Sequence, residues 1–462
     1  MERILLTFFL ILLLSFSASA EVIQLKDIGW IYGPNGLTAI RGGGNPIREL
    51  LLDNYVASHV AQSSSGSCKY GWWSEVLGVS YARDHGLDGT GVKVLVIDSG
   101  VDDNVLQEAL GRKIDYHFNA AYEVYKDLCL GNLTINGIEY CYIDKYKLDS
   151  WRTEYVAIPL SPVDEIGHGT AVAATVLSVA PNVTLYSAKV NIDLIDIDDR
   201  GNVYIIQSLL DPLAIHWALA KAVYGPDGVP NTNDDVDVVN MSLGGVIYPL
   251  PSYLSVINLG DELLAWYIFK QPISENSNRV LFVASAGNSG DRVVSIPAIV
   301  EEVVGVSALE YYNGEWKLAS FSTTGLGVDF ASLGSGLYLP VPKDSLIARL
   351  ITDGCGTEGN YTKWVRLDGT SFSSPLVAGI AALWKQYTNA EGNELFKILA
   401  NHAMDVLSSG KDLESGYGVP IAPFYEPPNS SQVSSSVPST PLAVFLYPLL
   451  RSIRNYMIRK IR

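Results

Sequence analysis

The chain has 462 residues, a formal net charge of −17 and a pI near 4.8, and 48% of its residues are hydrophobic. This length allows one large domain with extensions or two to three ordinary domains. The acidic balance argues against a nucleic-acid-binding surface, because such surfaces are normally basic. It is typical of a soluble protein and also compatible with cation binding.

The first 20 residues have the layout of a secretory signal peptide. One arginine precedes the apolar run Ile4–Leu14, and small residues follow up to Ala20. The apolar run is short for a membrane span. We therefore expect a secreted or cell-surface protein whose mature chain begins near Glu21.

Secretion favours disulfides over metal binding for the four cysteines, which lack C-x-x-C spacing. Four cysteines allow three pairings. Cys129 with Cys141 would close a short loop and is the preferred pair. Cys68 with Cys355 is the remaining pair, and this pairing is left open.

Residues 21–70 form a poorly patterned leader, either a short prosegment or part of the mature fold. From about Gly71 to residue 422, strand and helix patterns alternate, with helices predicted over Thr170–Val179 and Asp211–Val223. This alternation predicts an α/β fold with a doubly wound, mostly parallel sheet and helices on both faces, and a ligand site at the carboxyl ends of its strands. Apolar runs rich in β-branched residues predict the buried strands at Val92–Asp98, Val183–Val190, Val236–Leu243, Arg279–Gly287 and Glu302–Leu309.

The chain ends in two compositionally distinct segments. Residues 423–441 are rich in Pro, Ser and Thr, which predicts a linker that buries no core. Residues 442–462 are apolar and then basic, with apolar and arginine residues on separate faces of a helical pattern. Two interpretations stay open, namely membrane contact through this segment and a plain basic tail.

A histidine and an aspartate have settings that suit catalysis. His168 lies between glycines at the start of a helical pattern, where the helix dipole is expected to favour its neutral form. Asp98 ends an apolar strand, where a buried carboxylate needs hydrogen-bond donors such as an imidazole N–H. Taken alone, a histidine or an aspartate in such a setting has a structural role more often than a catalytic one.

The segment "GTSFSSP" holds three serines at the start of another helical pattern. Ser371 follows Gly369 and Thr370 at the helix N-terminus, which favours negative charge developing on its oxygen. Asn288 closes a predicted strand in "VASAGNSG", and its amide could donate to an oxyanion. The alternative interpretations are that "GTSFSSP" is an ordinary polar turn and that Asn288 is an ordinary turn asparagine.

Five motifs in the order "VIDSG", "GHGTAVA", "MSLGG", "SAGN" and "GTSFSSPLVAG" resemble those of the subtilisin-like (subtilase) serine proteases, over roughly residues 71–422. The resemblance implies a serine endopeptidase with Ser371 as nucleophile and His168 as general base and acid. It gives Asp98 the role of orienting His168 and places Asn288 in the oxyanion hole.

The resemblance further implies protein or peptide substrates and chemistry that needs no cofactor. Substrate would pair with the backbone near Ser242, Leu243 and Gly244. The acidic stretch Asn191–Asn202 would lie near the cleft, where a preference for basic residues is one hypothesis. The oligomeric state is not predicted.

The loop that often helps to bind calcium in the family looks shortened after the His168 helix. A Gly/Pro-rich turn could supply a structural calcium site instead, because its closely spaced oxygen ligands suit this ion. A solvated acidic turn is an equally good interpretation. The candidate ligands are Asp227, Asn231, Asn233, Asp234 and Asp235.

Two other classes of function fit the sequence less well. A catalytically silent surface binding protein on the same scaffold is disfavoured, because all four key residues are present. A lipase or esterase of the α/β-hydrolase type would carry its triad in the order Ser, Asp, His, with a G-x-S-x-G elbow. In this chain the candidate serine comes last, after the aspartate and the histidine, and "GTSFS" lacks the second glycine.

Overall fold

A computed structural model describes residues 30–33, 36–39, 68–135, 137–144, 154–197, 203–244, 266–351 and 358–427. The chain divides into the units Met1–Glu426 and Pro427–Arg462. The predicted signal peptide, most of the linker and the C-terminal segment 442–462 lie outside the described residues. No helix within the described ranges is both long and apolar enough to cross a membrane.

The helices and strands alternate along most of the described chain. The helices are α1 (Val79–Asp84), α2 (Asp103–Leu110), α3 (Ala120–Tyr125), α4 (His168–Val179), α5 (Pro212–Ala220), α6 (Gln271–Asn276), α7 (Leu346–Leu350), α8 (Thr370–Thr388) and α9 (Gly392–Asn401). The strands are β1 (Trp30–Gly33), β2 (Gly36–Ala39), β3 (Lys93–Asp98), β4 (Tyr116–Asn119), β5 (Gly131–Ile135), β6 (Ile138–Asp144), β7 (Glu154–Pro159), β8 (Thr184–Lys189), β9 (Asn191–Ile197), β10 (Val203–Leu210), β11 (Val238–Met241), β12 (Leu281–Ser285), β13 (Val303–Tyr312), β14 (Glu315–Leu318), β15 (Val328–Leu333), β16 (Leu337–Pro342), β17 (Thr362–Leu367), β18 (Ala403–Met404) and β19 (Val419–Pro420).

The central sheet has the strand order β14-β13-β12-β11-β3-β8-β4, and β15 pairs with β13 outside this path. All of these pairs are parallel except the β13–β14 hairpin. Each strand predicted from an apolar run is present. The predicted doubly wound, mostly parallel α/β fold is therefore confirmed.

Strand β3 shows how the sheet separates two helix layers. Successive side chains of a strand point to opposite faces. Val94 and Val96 belong to one apolar core with residues of α4 and α8, whereas Leu95 and Ile97 belong to a second core with residues of α3, α5 and α6. All four side chains are fully buried. Helices thus cover both faces of the sheet, and the candidate site residues lie near the carboxyl ends of its parallel strands.

A second sheet was not predicted from the sequence. It is antiparallel, with the strand order β10-β9-β7-β6-β5. Strands β5 to β7 lie in the chain between β3 and α4, and β9 directly follows β8. Cys129 and Cys141 form the preferred disulfide across the β5–β6 part of this sheet, with their Cα atoms 5.6 Å apart. Cys355 lies outside the described residues, so its pairing with Cys68 stays a prediction.

Candidate active site

Asp98 is the last residue of β3, in the middle of the central sheet, and only 2% of it is exposed. Its Oδ1 atom lies 2.8 Å from Nδ1 of His168 and 2.8 Å from the backbone N of Ser99. Because a carboxylate oxygen can only accept here, Nδ1 of His168 carries the hydrogen. Nε2 of His168 is then the basic nitrogen of the ring.

His168 is the first residue of α4 and is almost completely buried. The glycines beside it allow a close approach of backbones, because a Cβ atom at position 169 would lie 2.1 Å from the carbonyl oxygen of Gly100. Burial lowers the pKa of His168, but the charge and hydrogen bond of Asp98 outweigh it and raise the pKa above its ordinary value. The preference for the neutral form expected from the helix end alone stays a prediction, because Asp98 sets the net direction of the shift.

Ser371 lies in the first turn of α8, directly after Thr370. It is partly exposed, whereas Ser373 and Ser374 of the same segment are fully buried. Gly369 before the helix has φ 153°, a conformation that favours glycine. Among the three serines, Ser371 is the one that a substrate could reach.

The hydroxyl of Ser371 donates to the carbonyl oxygen of Ser242 at 3.4 Å, and within the described residues it makes no hydrogen bond to His168. The ring of Phe372, the next residue, nevertheless packs against the His168 ring with 5.6 Å between centroids. The structure thus places the residue after Ser371 against the His168 ring, whereas the Ser371 hydroxyl itself contacts Ser242. Catalytic hydrogen bonds are often long before substrate is bound.

Asn288 follows β12 and faces the same helix start. Its Oδ1 accepts from the backbone N–H and from the hydroxyl of Thr370, both at 2.8 Å. A backbone N–H can only donate, so this contact identifies the amide oxygen. The Nδ2 group is directed elsewhere and lies 3.6 Å from where a Cβ atom of Gly369 would stand. An amide donor therefore lies beside the turn that presents Ser371.

The predicted substrate-binding residues follow β11 at the same sheet edge. Ser242 and Leu243 are buried, and Gly244 is exposed. The Ser242 hydroxyl donates to the carbonyl oxygen of Ser371 at 2.6 Å, so this segment is fastened to the start of α8. Residues 245–265 lie outside the described residues.

Sequence reasoning missed Asp164, which is buried four residues before His168. Its Oδ1 accepts from the Ser99 hydroxyl at 2.8 Å and from the backbone N of Gly167 at 2.8 Å. Its Oδ2 accepts from the backbone N and hydroxyl of Thr170 at 2.8 and 2.7 Å. An acid just before a helix start was the available signal. Asp164 joins the loop after Asp98 to the first turn of the His168 helix.

The five predicted calcium ligands share one turn, but Asp234 and Asp235 are already engaged by other residues of the protein. Oδ2 of Asp234 accepts from the backbone N of Asp227 at 3.0 Å, and its Oδ1 accepts from Thr232 at 2.6 Å. Asp235 forms an ion pair with Arg279 at 3.0 Å. In the described part of the chain, no group of three or more Asp, Glu, His or Cys side chains is arranged to hold a metal ion. The calcium site stays a prediction that these contacts do not support.

Comparisons with known proteins show which family the chain resembles. A model of the subtilase family matches residues 89–418. The minor extracellular protease Epr of Bacillus subtilis (strain 168) is 26% identical over 359 residues, which are 75% of this chain and 40% of that protein. Subtilisin BL of Lederbergia lenta is 27% identical over 338 residues, which are 71% of this chain and 87% of that protein.

A solved structure described as a lanthipeptide protease has a TM-score of 0.48 and 22% sequence identity with this chain. It covers 76% of this chain and 92% of its own. The chain spans less than half the length of Epr but most of the length of subtilisin BL.

Proposed function

The chain belongs to the subtilase family of serine-type endopeptidases, and we propose that it cleaves peptide bonds inside protein substrates through an acyl-enzyme on Ser371. The observation that carries this proposal is the 2.8 Å hydrogen bond between Asp98 and His168. This bond leaves Nε2 of His168 as the nitrogen that can take a proton. Further support comes from Asn288, which contacts Thr370, the residue directly before Ser371.

In the proposed reaction, His168 removes the proton of Ser371 as the serine oxygen attacks the peptide carbonyl. The C–N bond then breaks, His168 returns the proton to the leaving amine, and an acyl group stays on Ser371. Water, deprotonated by His168, releases this acyl group. Asp98 stabilises the imidazolium that forms in both halves of the reaction.

Negative charge develops on the carbonyl oxygen of the substrate, and two donors are proposed to stabilise it. One is Nδ2 of Asn288, whose amide is oriented by Thr370. The other is the backbone N–H of Ser371, which belongs to the first turn of α8 and therefore has no acceptor within the helix. Oriented donors of this kind need no rearrangement during the reaction.

Peptide substrate is proposed to add as a strand beside Ser242, Leu243 and Gly244 at the end of β11. Backbone hydrogen bonds would then supply much of the affinity, and side-chain pockets the selectivity. We propose no cofactor for the chemistry, because the side chains described above account for every proton transfer.

Casein digestion tests the proposal when the products are identified by mass spectrometry. We expect peptides cut at internal bonds from the native chain and none from a Ser371→Ala chain. Persistent digestion by the alanine variant would contradict the role of Ser371. A stable, folded native chain that digests no protein would support the alternative of a silent binding protein.

Export and attachment are proposed on the sequence alone. The signal peptide would be removed near Glu21, and residues 442–462 would contact a membrane. Sequencing of the mature N-terminus tests the first statement. Sedimentation with anionic lipid vesicles, comparing the full chain with one ending at residue 441, tests the second. Equal sedimentation of both chains would favour the plain basic tail.

A further inference from the structure

Lys189 is a fully buried lysine at the end of β8. Its Nζ atom donates to the carbonyl oxygens of Ser99 and Val163, both at 2.8 Å, and to Oε2 of Glu165 at 2.6 Å. An ammonium group has three hydrogens, so every one of them is used. Burying a charge without partners is strongly unfavourable, and this complete set of acceptors offsets that cost.

The partners of Lys189 belong to the two loops that carry Asp98 and His168. Ser99 directly follows Asp98, and Val163 and Glu165 lie in the loop that leads into α4. Lys189 is itself the residue of β8 that pairs with Asp98 in the sheet. A single ammonium group therefore connects the end of β3, the end of β8 and the start of the His168 helix.

Glu165 extends this connection into the second sheet. Its Oε1 accepts from Nδ2 of Asn191 at 2.7 Å, and Asn191 is the first residue of β9. Both residues of this contact are largely or fully buried, since the Glu165 side chain is 14% exposed and Asn191 is 0% exposed. The antiparallel sheet is thus joined through Glu165 to the loop that leads into the His168 helix.

We propose that Lys189 and Glu165 are positioning residues, which hold the loop of Asp98 against the loop of His168 and so set the geometry of the triad. The inference rests on the proposed function of Ser371, His168 and Asp98. Misplacement of a catalytic group by about 1 Å can cost about 10²-fold in rate, so a buried clamp between these loops has a direct effect on turnover. Neither residue contacts substrate in this account.

The test compares Glu165→Gln and the double variant Lys189→Met/Glu165→Gln with the native chain. The double variant is included because Lys189→Met alone would leave the Glu165 carboxylate unpaired and could prevent folding. Lys385→Met is the matched control, because Lys385 is 8% exposed and pairs with Glu391 at 3.0 Å, on the far end of α8. Each protein is assayed for kcat and KM per active site titrated with a fluorophosphonate.

We expect kcat to fall about 10- to 100-fold in Glu165→Gln and in the double variant, the two clamp variants, with KM changed less than about threefold. The control should lose thermal stability while kcat per titrated site stays within about twofold of the native value. Unchanged kcat per titrated site in the double variant would overturn the proposal.

A second readout does not depend on turnover. The pKa of His168, followed by NMR in a Ser371→Ala background, is set by its neighbours Asp98 and Asp164 as well as by burial. We expect this pKa to fall in the clamp variants, because a loosened Asp98 stabilises the imidazolium less. An unchanged pKa in the variants would overturn the positioning role of Lys189 and Glu165 even if the enzyme is active. A lowered pKa in the variants, together with a native chain that shows no protease activity, would contradict the proposed function alone.

Discussion

The side-chain oxygen of Asn288 accepts two hydrogen bonds from Thr370, the residue directly before Ser371. The proposed oxyanion donor and the proposed nucleophile are therefore fixed to the same helix start. The strand end that carries Asn288 and the first turn of α8 cannot move independently without breaking both bonds. The orientation of the Nδ2 donor follows from this contact.

Replacing Asn288 by alanine should lower kcat about 10²- to 10³-fold, the size found when this donor is removed from a subtilisin. KM should change little, because the donor acts on charge that develops only in the transition state. Steady-state kinetics on a peptide substrate measure both constants. A rise in KM with an unchanged kcat would show instead that Asn288 binds the substrate ground state.

Replacing Asp98 by asparagine should lower kcat about 10⁴-fold and also shift the pH profile. Catalysis needs neutral His168, so kcat/KM falls as the pH drops through the pKa of His168. In the native chain Asp98 raises this pKa above its ordinary value, whereas in the variant burial would lower it against the charge of Asp164 only. The fall of kcat/KM on the acid side of the pH profile should therefore occur at lower pH in the variant. The same acid-side midpoint in both proteins would contradict the pairing of Asp98 with His168.

Glu108 should stabilise the fold in a pH-dependent way. Its carboxylate accepts from the backbone N–H groups of Asn360, Tyr361 and Thr362, at 2.7, 2.9 and 2.9 Å. These bonds lower the pKa of Glu108 to about 2. A lowered carboxyl pKa means that the stabilisation is complete above the unfolded pKa of about 4.3 and is lost as the pH falls through the folded value.

Glu108→Gln should therefore lower the urea midpoint of unfolding more at pH 6 than at pH 3. The same loss at both values would contradict the role of the charge. Protease activity at pH 6 should stay near the native value, because Glu108 lies on α2 and contacts none of the proposed catalytic residues.

Asp193 should have the opposite effect on stability. Burial, and then the negative charge of Glu165, raise the pKa of Asp193 to about 7. The folded chain therefore keeps a proton that the unfolded chain releases near pH 4, so this group lowers stability as the pH rises from about 4 to about 7. Asp193→Asn removes that dependence.

Urea unfolding of the native chain and of Asp193→Asn at pH 5 and pH 8 measures this effect. The asparagine variant should gain stability relative to the native chain between the two pH values. A constant difference between the two proteins would show that Asp193 does not hold its proton at neutral pH.

The sequence predicted the central sheet closely, because its strands are buried on both faces and form continuous apolar runs. The strand predicted at Val92–Asp98 spans Lys93–Asp98 in the structure, and the one predicted at Glu302–Leu309 spans Val303–Tyr312. The second sheet could not be found in this way. Three of its pairings join consecutive strands, but the β7–β9 pairing, as in Ala157 opposite Asp193, joins segments distant in sequence, and no local pattern encodes that contact.

The four proposed catalytic residues were accessible from sequence because each lies in a short local motif. Asp164 and Lys189 were not, because their importance depends on which backbone groups the fold places around them. Lys189 ends a buried strand, and a lysine at such a position is the signal that could have indicated a buried pair. The hydrogen bond between Ser371 and Ser242 likewise depends on a contact between distant segments.

Covalent labelling of the nucleophile tests the central claim most directly. A fluorophosphonate probe is applied to the native chain, to Ser371→Ala and to Ser373→Ala, a control that removes a buried serine hydroxyl from the same helix turn. We expect labelling of the native chain and of Ser373→Ala at similar rates, and none of Ser371→Ala. Labelling of folded Ser371→Ala, or none of the native chain, would contradict the assignment of Ser371 as nucleophile.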